Sequence, residues 1–349
     1  MEKRLAIMGV GSLGTILGAY IAKSGRQIDL IDVNREHVDA LNQHGAHVTG
    51  NIEMTVPVHA ITPDQMEGVY DIFLYMTKQT YNATAIPQML AHADEHTIIC
   101  TLQNGLPELA VTAAFDPDRT LGAPVGWGAT WKGPGVSALT QDPTQLSFTL
   151  GSVTPAGKKY LPELQNILER MGKVTVSDNL MGLRWCKVLM NATFSGMSAA
   201  MGGTFGGVLD SDLAMDCVAH IGRENIRAVA ASGVVMEPFH LPGDLQVDFK
   251  EVFDWQNGDA AKKAACIATC RKLWGGSRKL EASMLQDLQK GRKCEIDAIN
   301  GVVVETGKKF GVPTPVNDLV CQVVREKEEG RMPVAHAPME RFAALLKTL

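Results

Sequence analysis

The chain has 349 residues, a formal net charge of −5, 45% hydrophobic residues and 20% charged residues. This composition is ordinary for a globular protein and argues against a disordered chain, while the negative charge gives no case for binding nucleic acid or an anionic membrane. Without such macromolecular partners, we expect a small-molecule substrate. The length exceeds what one hydrophobic core usually supports, so we expect two domains.

A short strand, a glycine-rich turn and a helix are the first predicted elements. The turn has the pattern G-x-G-x-x-G and consists of Gly9, Val10, Gly11, Ser12, Leu13 and Gly14. Gly9 permits the tight turn, Gly11 lets the backbone approach a pyrophosphate, and Gly14 allows close packing of the helix on the strand. The helix N-terminus presents free N–H groups to the anion. Because of this strand-turn-helix context, the motif predicts a dinucleotide site rather than an incidental glycine-rich loop.

The second predicted strand ends at Asp32, 18 residues after Gly14. A carboxylate at this point can accept hydrogen bonds from the adenosine ribose hydroxyls, and it would repel a 2′-phosphate. Neither Val33 nor Asn34 is basic, although Arg35 is close. NAD(H) is therefore favoured as the cofactor, and NADP(H) stays open. The alternative for Asp32 is that it only caps the following helix.

Two further strands are predicted at 70–76 and 97–102, with a helix at 81–92 between them. Short apolar runs that alternate with helices are typical of a doubly wound parallel sheet. In such sheets, ligands bind beyond the carboxyl ends of the strands. Lys78 follows one of these strands and Asn104 follows the other, so both are candidate site residues.

The pattern changes twice in the remainder of the chain. Residues 122–151 alternate like antiparallel strands that extend the sheet, and a helix and a strand complete the pattern up to residue 178. Beyond that point the apolar periodicity is helical almost to the end. We therefore predict an α/β, Rossmann-like dinucleotide-binding domain at 1–178. An all-α domain that carries the substrate and the catalytic residues is predicted at 179–349.

Lys187 and Asn191 lie one turn apart on an otherwise apolar predicted helix. Burial destabilises the ammonium form of a lysine and makes it a better proton donor near neutral pH, as a carbonyl requires when hydride arrives. We expect Lys187 to be that donor and Asn191 to contact the substrate. The alternative is a lysine whose charged end reaches solvent at a helix end.

The seven cysteines form no C-x-x-C pair, and their odd number is typical of a reducing compartment. Cys266 and Cys270 lie one helical turn apart without a histidine or further cysteine nearby in the sequence, so we predict buried thiols and no metal site.

Residues 5–22 are uncharged, but their motif glycines favour a strand, turn and helix over a signal sequence. No other segment approaches the length of a membrane span. We expect a cytoplasmic protein without membrane contacts.

A second group of motifs lies towards the end of the chain, at 283–287, 293–301 and 311–317. With the glycine-rich turn, Lys78, 103–105 and the helix at 187–191, they resemble the ketopantoate reductase (2-dehydropantoate 2-reductase) family over nearly the whole length. The resemblance implies reduction of a 2-oxo acid to the 2-hydroxy acid by hydride transfer from a nicotinamide cofactor, usually NADPH. In this family the reaction belongs to pantothenate biosynthesis.

The resemblance also implies roles for particular side chains. Lys187 is the implied general acid that protonates the substrate carbonyl oxygen, and Glu295 is its partner, holding the substrate hydroxyl or the lysine. Asn104 is implied to lie between the nicotinamide and the substrate, Lys78 to contact the cofactor, and Ser283 to donate to the substrate carboxylate. A positioned cation stabilises the alkoxide-like oxygen that forms as the hydride adds.

Three positions depart from the family pattern. Where the family commonly has asparagines that bind the substrate's hydroxyl and carboxylate, this chain has Ser195, Phe205 and Leu280. Each unpaired buried polar group costs about 1 to 3 kcal/mol, so a hydroxylated substrate is disfavoured. We expect Ser195 to give the pocket a smaller hydroxyl, and Phe205 and Leu280 to give it an apolar surface. The substrate is then a 2-oxo acid that is ketopantoate or a more apolar relative, and we expect the apolar relative to be the better substrate.

Two other functions remain compatible with the sequence. One is an NAD-dependent hydroxy-acid or amine dehydrogenase that works oxidatively, because related two-domain families share a lysine and an asparagine one helical turn apart. The other is a non-catalytic protein that binds a nicotinamide cofactor, against which the presence of both Lys187 and Glu295 argues. The expected partner is a small molecule, not a nucleic acid, and a homodimer is a candidate assembly.

Overall fold

The computed structural model describes residues 3–240 and 246–349, which form two compact units. The first unit comprises the residues up to Gln103 together with Pro107–Leu180, and the second comprises Asn104–Leu106 and Met181–Leu349. The short segment Asn104–Leu106 therefore belongs to the second unit, although its neighbours in the sequence on both sides belong to the first.

The first unit contains an eight-stranded and a four-stranded sheet. Its strands are β1 (Leu5–Met8), β2 (Asp29–Ile31), β3 (Ala46–Gly50), β4 (Met54–Val56), β5 (His59–Ile61), β6 (Ile72–Tyr75), β7 (Ile98–Thr101), β8 (Thr120–Gly122), β9 (Ala129–Gly133), β10 (Val136–Leu139), β11 (Ser147–Ser152) and β12 (Lys173–Val176). The larger sheet has the order β12-β11-β8-β7-β6-β1-β2-β5, and all neighbours are parallel except β8 and β11. This is the predicted doubly wound, Rossmann-like arrangement.

Helices lie on both faces of the larger sheet. They are α1 (Ser12–Lys23), α2 (Arg35–His44), α3 (Asn82–Leu90), α4 (Pro107–Thr112) and α5 (Leu161–Leu168). In β1, Leu5 and Ile7 pack in the hydrophobic cluster that includes residues of α1 and α5. Ala6 and Met8, which point to the opposite face, pack with residues of α3 and α4. Burial on both faces explains why these strands are continuous apolar runs in the sequence.

Residues 122–151 only partly follow the expectation that they extend the sheet. β11 pairs antiparallel with β8 and does extend it. β9 and β10 instead form the four-stranded sheet with β3 and β4, in the order β4-β3-β10-β9. Alternating residues indicate that a strand has two different faces, but they do not indicate which strand is its neighbour.

The second unit is helical. Its helices are α6 (Leu180–Met190), which begins at the last residue of the first unit, α7 (Gly196–Met201), α8 (Phe205–Asp210), α9 (Asp212–Ala231), α10 (Phe249–Phe253), α11 (Ala260–Trp274), α12 (Ser283–Gln289), α13 (Val302–Phe310), α14 (Pro315–Glu328) and α15 (Met339–Leu346). The short strands β13 (Phe239–His240) and β14 (Gln246–Val247) pair antiparallel with each other. The predicted class, a Rossmann-like domain followed by a helical domain, is confirmed.

Helix α9 is the centre of the helical unit. It is buried along most of its length, and α10, α11, α13, α14 and α15 pack against it.

All seven cysteines of the chain are buried free thiols, with Cys100 in β7 and the other six in the second unit. In the described ranges, no group of three or more histidine, cysteine or acidic side chains could hold a metal ion. Over the same ranges, no helix has the length and apolarity needed to cross a bilayer.

Candidate active site

The glycine-rich turn has the backbone geometry that its sequence predicts. Gly9 has a φ of +98°, and a Cβ at this position would lie 2.7 Å from the Cα of Thr77. A Cβ on Gly14 would lie 2.5 Å from the carbonyl oxygen of Gly9. A side chain is therefore excluded at both positions, at Gly9 by the left-handed backbone as well as by contact.

Gly11 is the exception, and the difference indicates its role. No atom of the described residues would lie within 4 Å of a Cβ at Gly11, which is exposed. Gly11 also precedes α1, and within the described structure no side chain accepts a hydrogen bond from the first N–H groups of that helix. Open space in front of an uncapped helix N-terminus fits a bound pyrophosphate, so these residues fit a dinucleotide.

Asp32, at the end of β2, is held by two backbone N–H groups. Its Oδ2 accepts from the N–H of Val10 at 2.9 Å, and its Oδ1 accepts from the N–H of Asn34 at 3.0 Å. The cap of α2 is Asn34, whose side chain accepts from the N–H of His37. The alternative that Asp32 caps this helix is therefore wrong. Each carboxylate oxygen of Asp32 retains a lone pair that could accept from a ribose hydroxyl.

Arg35, the residue that left NADP(H) open, is paired. Its guanidinium lies 2.9 Å from Oδ2 of Asp64, and the two side chains are 70% and 63% exposed. Such an exposed pair is screened by solvent and weak, so it reduces rather than removes the availability of Arg35 to an anion.

His37 is a residue of this site that sequence reasoning missed. It is completely buried. Its Nδ1 accepts from the N–H of Gly135 at 2.8 Å, so the proton lies on Nε2, which donates to the carbonyl oxygen of Val10 at 2.7 Å. Burial lowers the pKa of His37. This neutral histidine therefore stabilises the glycine-rich turn through its hydrogen bond to Val10. In the sequence it looks like an ordinary residue of a helix start.

Lys78 and Gln103 follow β6 and β7, as predicted. Lys78 is half-buried. Gln103 is buried, and its Nε2 donates to the carbonyl oxygen of Thr77 at 2.8 Å and to Oδ1 of Asn82 at 3.1 Å. These bonds tie the chain after β7 to the chain after β6, so Gln103 fixes the backbone from which Lys78 projects.

The second unit brings three predicted residues together. Lys187 lies on α6, half-buried, and Glu295 is 8% exposed. Burial, and to a smaller extent the positive charge of Arg184, lower the pKa of Lys187 to about 8, although the negative charge of Glu295 raises it. The Nδ2 group of Asn104 donates to Oε2 of Glu295 at 3.5 Å, a long hydrogen bond. The lysine and the carboxylate are therefore an interacting pair, and Asn104 contacts the carboxylate.

The remaining predicted residues of this unit are Asn191 and Ser283. Asn191 is half-buried and lies one turn after Lys187. Ser283 is exposed at the first turn of α12. Both are accessible enough to contact a ligand, and the structure leaves their substrate contacts as predictions.

The expectation that Phe205 gives the substrate an apolar surface is wrong. Phe205 is 6% exposed and packs in the core of the helical unit, where its ring lies 5.4 Å from that of Phe194. A large apolar side chain gains more from burial in this core than from exposure to a ligand site. Leu280, in contrast, is 46% exposed, and Ser195 is half-buried. Only these last two remain candidates to contact substrate.

The fold and this site define a class of protein, an oxidoreductase with a Rossmann-like unit and a helical unit that carries a lysine–glutamate pair. Comparison with known families identifies the member of that class. The ketopantoate reductase PanE/ApbA family model matches residues 5–153, and the model of the C-terminal part of the same family matches residues 179–328. The chain belongs to the ketopantoate reductase family.

Relatives of known name agree with this assignment. The 2-dehydropantoate 2-reductase of Pyrococcus horikoshii is 24% identical over 327 residues, which are 93% of this chain and 97% of the relative. The enzyme of the same name from Lactococcus lactis is 28% identical over 333 residues, which are 93% of this chain and 98% of the relative.

Solved structures share the fold. D-mandelate dehydrogenase in a ternary structure with NADH and anilino(oxo)acetate has a TM-score of 0.79 at 23% identity, covering 94% of this chain and 99% of its own. A ketopantoate reductase of the PanE/ApbA family from Ralstonia eutropha JMP134 has a TM-score of 0.77 at 23% identity, with the same coverage.

Proposed function

We propose that this chain reduces a 2-oxo acid to the 2-hydroxy acid with a nicotinamide cofactor, and that Lys187 is the general acid. The observation that carries the proposal is the pair formed by half-buried Lys187, with a pKa lowered to about 8, and buried Glu295. A lysine with this pKa is mostly protonated at pH 7, yet it releases its proton more readily than an exposed lysine. Membership of a reductase family supports this assignment of roles.

We assign cofactor binding and catalysis to different parts of the chain. We assign residues 1–178 to cofactor binding, through the glycine-rich turn, Asp32 and Lys78, and residues 179–349 to catalysis. The open helix N-terminus after Gly11 supports the first assignment, and the lysine–glutamate pair supports the second. A cytoplasmic location and a homodimer stay predictions.

Residues of the second unit carry out the proposed proton transfer. The cofactor supplies a hydride to the carbonyl carbon when it is bound. Protonated Lys187 donates a proton from Nζ to the carbonyl oxygen as negative charge develops there, and the neutral amine then regains a proton from water. The negative charge of Glu295 stabilises the ammonium before the transfer. Asn104 holds this carboxylate through its Nδ2 group.

NADH is the cofactor that the first unit favours. Asp32 lies beside the glycine-rich turn with its carboxylate fixed by backbone N–H groups, so it cannot easily turn away from a 2′-phosphate. Arg35, the nearest candidate for binding that phosphate, is engaged by Asp64. The presence of NADH in the structure of D-mandelate dehydrogenase, which has the same fold, is consistent with this preference.

The substrate class is a 2-oxo acid with an apolar tail. We assign Ser283 to the substrate carboxylate and Asn191 to the substrate oxygens, and Leu280 supplies an exposed apolar surface. Each buried methylene contributes about 0.8 kcal/mol, whereas a 4-hydroxyl must be desolvated without a donor at this position. Anilino(oxo)acetate, the compound bound to D-mandelate dehydrogenase, is a 2-oxo acid derivative with an aromatic tail.

A panel assay tests the function. Purified protein is supplied with NADH or NADPH and with ketopantoate, 3-methyl-2-oxobutanoate or phenylglyoxylate, and the corresponding 2-hydroxy acids are assayed with NAD⁺. We expect the highest kcat/KM with NADH and an unhydroxylated 2-oxo acid. The likeness to D-mandelate dehydrogenase favours oxidation of a 2-hydroxy acid as the second candidate function, and a higher kcat/KM for the hydroxy acid would establish it. No turnover in either direction would leave a non-catalytic cofactor-binding protein.

A further inference from the structure

Two segments of the described chain are π-helical, and each begins within four residues after a proposed catalytic residue. The first π segment is Asn191–Ser195, which continues the helix of Lys187. The second π segment is Asp297–Gly301, which begins two residues after Glu295. A π turn replaces i→i−4 hydrogen bonds by i→i−5 bonds, and the change of register leaves a carbonyl group that needs another partner.

The side chain of Asn300 supplies such a partner. Asn300 lies in the second π segment and is completely buried. Its Nδ2 group donates to the carbonyl oxygen of Ala192, in the first π segment, at 3.1 Å and to Oδ1 of Asn317 at 3.0 Å. The hydroxyl of Thr193 donates to the carbonyl oxygen of Leu189 at 2.8 Å. The two π segments are thus joined by one buried amide.

Gly196 allows this amide to approach. A Cβ at Gly196 would overlap the side-chain amide of Asn300. Gly196 immediately follows the first π segment, and its N–H donates to the carbonyl oxygen of Asn191. A side chain at this point would therefore force the Asn300 amide to move.

The amide is fixed from its other side by α9 and α14. Nδ2 of Asn317 donates to Oε2 of Glu224 at 2.7 Å and to the carbonyl oxygen of Ile221 at 3.3 Å. Glu224 also accepts the N–H groups of Val316 and Asn317, both at 2.9 Å, at the start of α14. The position of Asn300 is therefore set by the buried frame of the helical unit and not by the ligand.

We propose that Asn300 is a positioning residue for the Lys187–Glu295 pair, an inference that rests on the proposed function. Ala192 lies five residues after Lys187, and Asn300 lies five residues after Glu295. The Asn300–Ala192 bond therefore joins the two segments close to both members of the pair. Asn300 acts through the backbone of these segments and does not itself touch the substrate.

Loss of the bond has a consequence beyond lower stability. The negative charge of Glu295 raises the pKa of Lys187, and the charge of Arg184 on the same helix lowers it. If the two segments separate, the influence of Glu295 weakens while that of Arg184 stays. The pKa of the lysine then falls, and the alkaline limb of the reductase pH profile moves to lower pH, because the reaction needs the protonated amine.

Asn300→Ala tests this against a matched control, Asn225→Ala. Asn225 is also a completely buried asparagine of the helical unit, but neither of its amide atoms has a hydrogen-bond partner among the described residues. We expect Asn300→Ala to lower kcat by about 10- to 100-fold, the usual scale for misplaced catalytic groups, with an unchanged Kd for NADH. Its alkaline limb shifts in the same direction as that of Glu295→Gln. Asn225→Ala keeps the wild-type limb.

Hydrogen exchange gives a readout that does not need turnover. Exchange in peptides covering 188–201 is expected to rise in Asn300→Ala and to stay at the wild-type rate in Asn225→Ala. If wild-type protein reduces no 2-oxo acid, the proposed function fails, and this measurement still tests the bond between the π segments. Unchanged exchange together with an unchanged pH limb in Asn300→Ala overturns the inference, as does an equal loss of kcat in both variants.

If Asn300→Ala does not fold, Gly196→Ala replaces it. This variant displaces the Asn300 amide without deleting it, and alanine is favoured over glycine within a helix. We expect a smaller loss of kcat and a shift of the alkaline limb in the same direction. A wild-type limb in folded Gly196→Ala protein overturns the inference.

Discussion

The first unit builds its proposed ligand site mainly from main chain, whereas the second unit builds its site from side chains that lie far apart in the sequence. In the first, Gly9 and Gly14 allow close packing, and Gly11 leaves open space at the uncapped N-terminus of α1, whose N–H groups we assign to the pyrophosphate. In the second, Asn104, Lys187 and Glu295 meet although up to 191 residues separate them. A backbone site depends on local conformation, and a side-chain site depends on the packing of the whole unit.

The largest expected effect concerns the side-chain site. Lys187→Ala should lower kcat by about two to four orders of magnitude, the usual scale for general acid catalysis, while the Kd for NADH stays the same. Lys309→Ala, which removes an exposed lysine of the same unit, is the control. Steady-state kinetics and a cofactor titration measure both quantities. Wild-type turnover in Lys187→Ala would remove this lysine from the mechanism.

The main-chain site is tested by a pair of glycine variants. Gly9→Ala should destabilise the protein by more than the roughly 1 to 3 kcal/mol of backbone strain at this left-handed position, because the new Cβ also meets the backbone of Thr77. Gly11→Ala has an ordinary backbone conformation and open space, so its Tm should match wild type while its Kd for NADH rises. Thermal unfolding and calorimetric titration distinguish the two. Equal Tm losses would contradict the distinct role of Gly11.

The two units should respond to acid in opposite directions. Burial lowers the pKa of His37 below its ordinary value of 6.5, so the unfolded state binds the extra proton and the first unit loses stability as pH falls through 6.5. Burial raises the pKa of Glu224 from 4.5 to about 7, so the folded state binds the proton and the second unit gains stability as pH falls from 7 to 4.5. Hydrogen exchange in each unit at pH 7 and pH 5, after correction for intrinsic rates, measures this.

Variants assign these pH responses to the two groups. His37→Gln should flatten the acid response of the first unit only, and Glu224→Gln should flatten that of the second only. A common response of both units in wild type would show that other groups dominate the linkage.

The smallest expected effect is on the choice of cofactor. Asp64→Ala frees Arg35 and should raise kcat/KM for NADPH relative to NADH by only a few-fold, because the exposed ion pair is screened by solvent. The double variant Arg35→Ala with Asp64→Ala should return the ratio to that of wild type. A ratio that the double variant leaves raised would exclude Arg35 as the cause.

The main-chain site of the first unit could be predicted from the sequence, whereas much of the side-chain site of the second unit could not. The glycine-rich turn is six consecutive residues, so its geometry is a local property that a motif reports. Lys187 was identifiable because apolar neighbours surround it. His37 could not be identified, because its role depends on Gly135, 98 residues away, and Asn300 depends on Ala192, 108 residues away.

Two errors have the same physical origin. In the sequence, Phe205 is an apolar replacement for an amide. Only its packing against Phe194 shows that the ring points into the core. The strands β9 and β10 form as expected, but only the pairing of β10 with β3 shows that they belong to a separate sheet. Patterns report which residues avoid water, and the partner that excludes the water is a tertiary property.

The buried cysteines make the two units separately observable. A thiol reagent reacts only with the thiolate of an exposed cysteine, so the native protein should resist labelling at all seven positions. Cys100 in β7 becomes reactive only when the sheet opens, and the six cysteines of the second unit report the opening of the helices. Pulse alkylation followed by mass spectrometry would therefore resolve, without any engineered probe, which unit opens first and whether cofactor protects one unit more than the other.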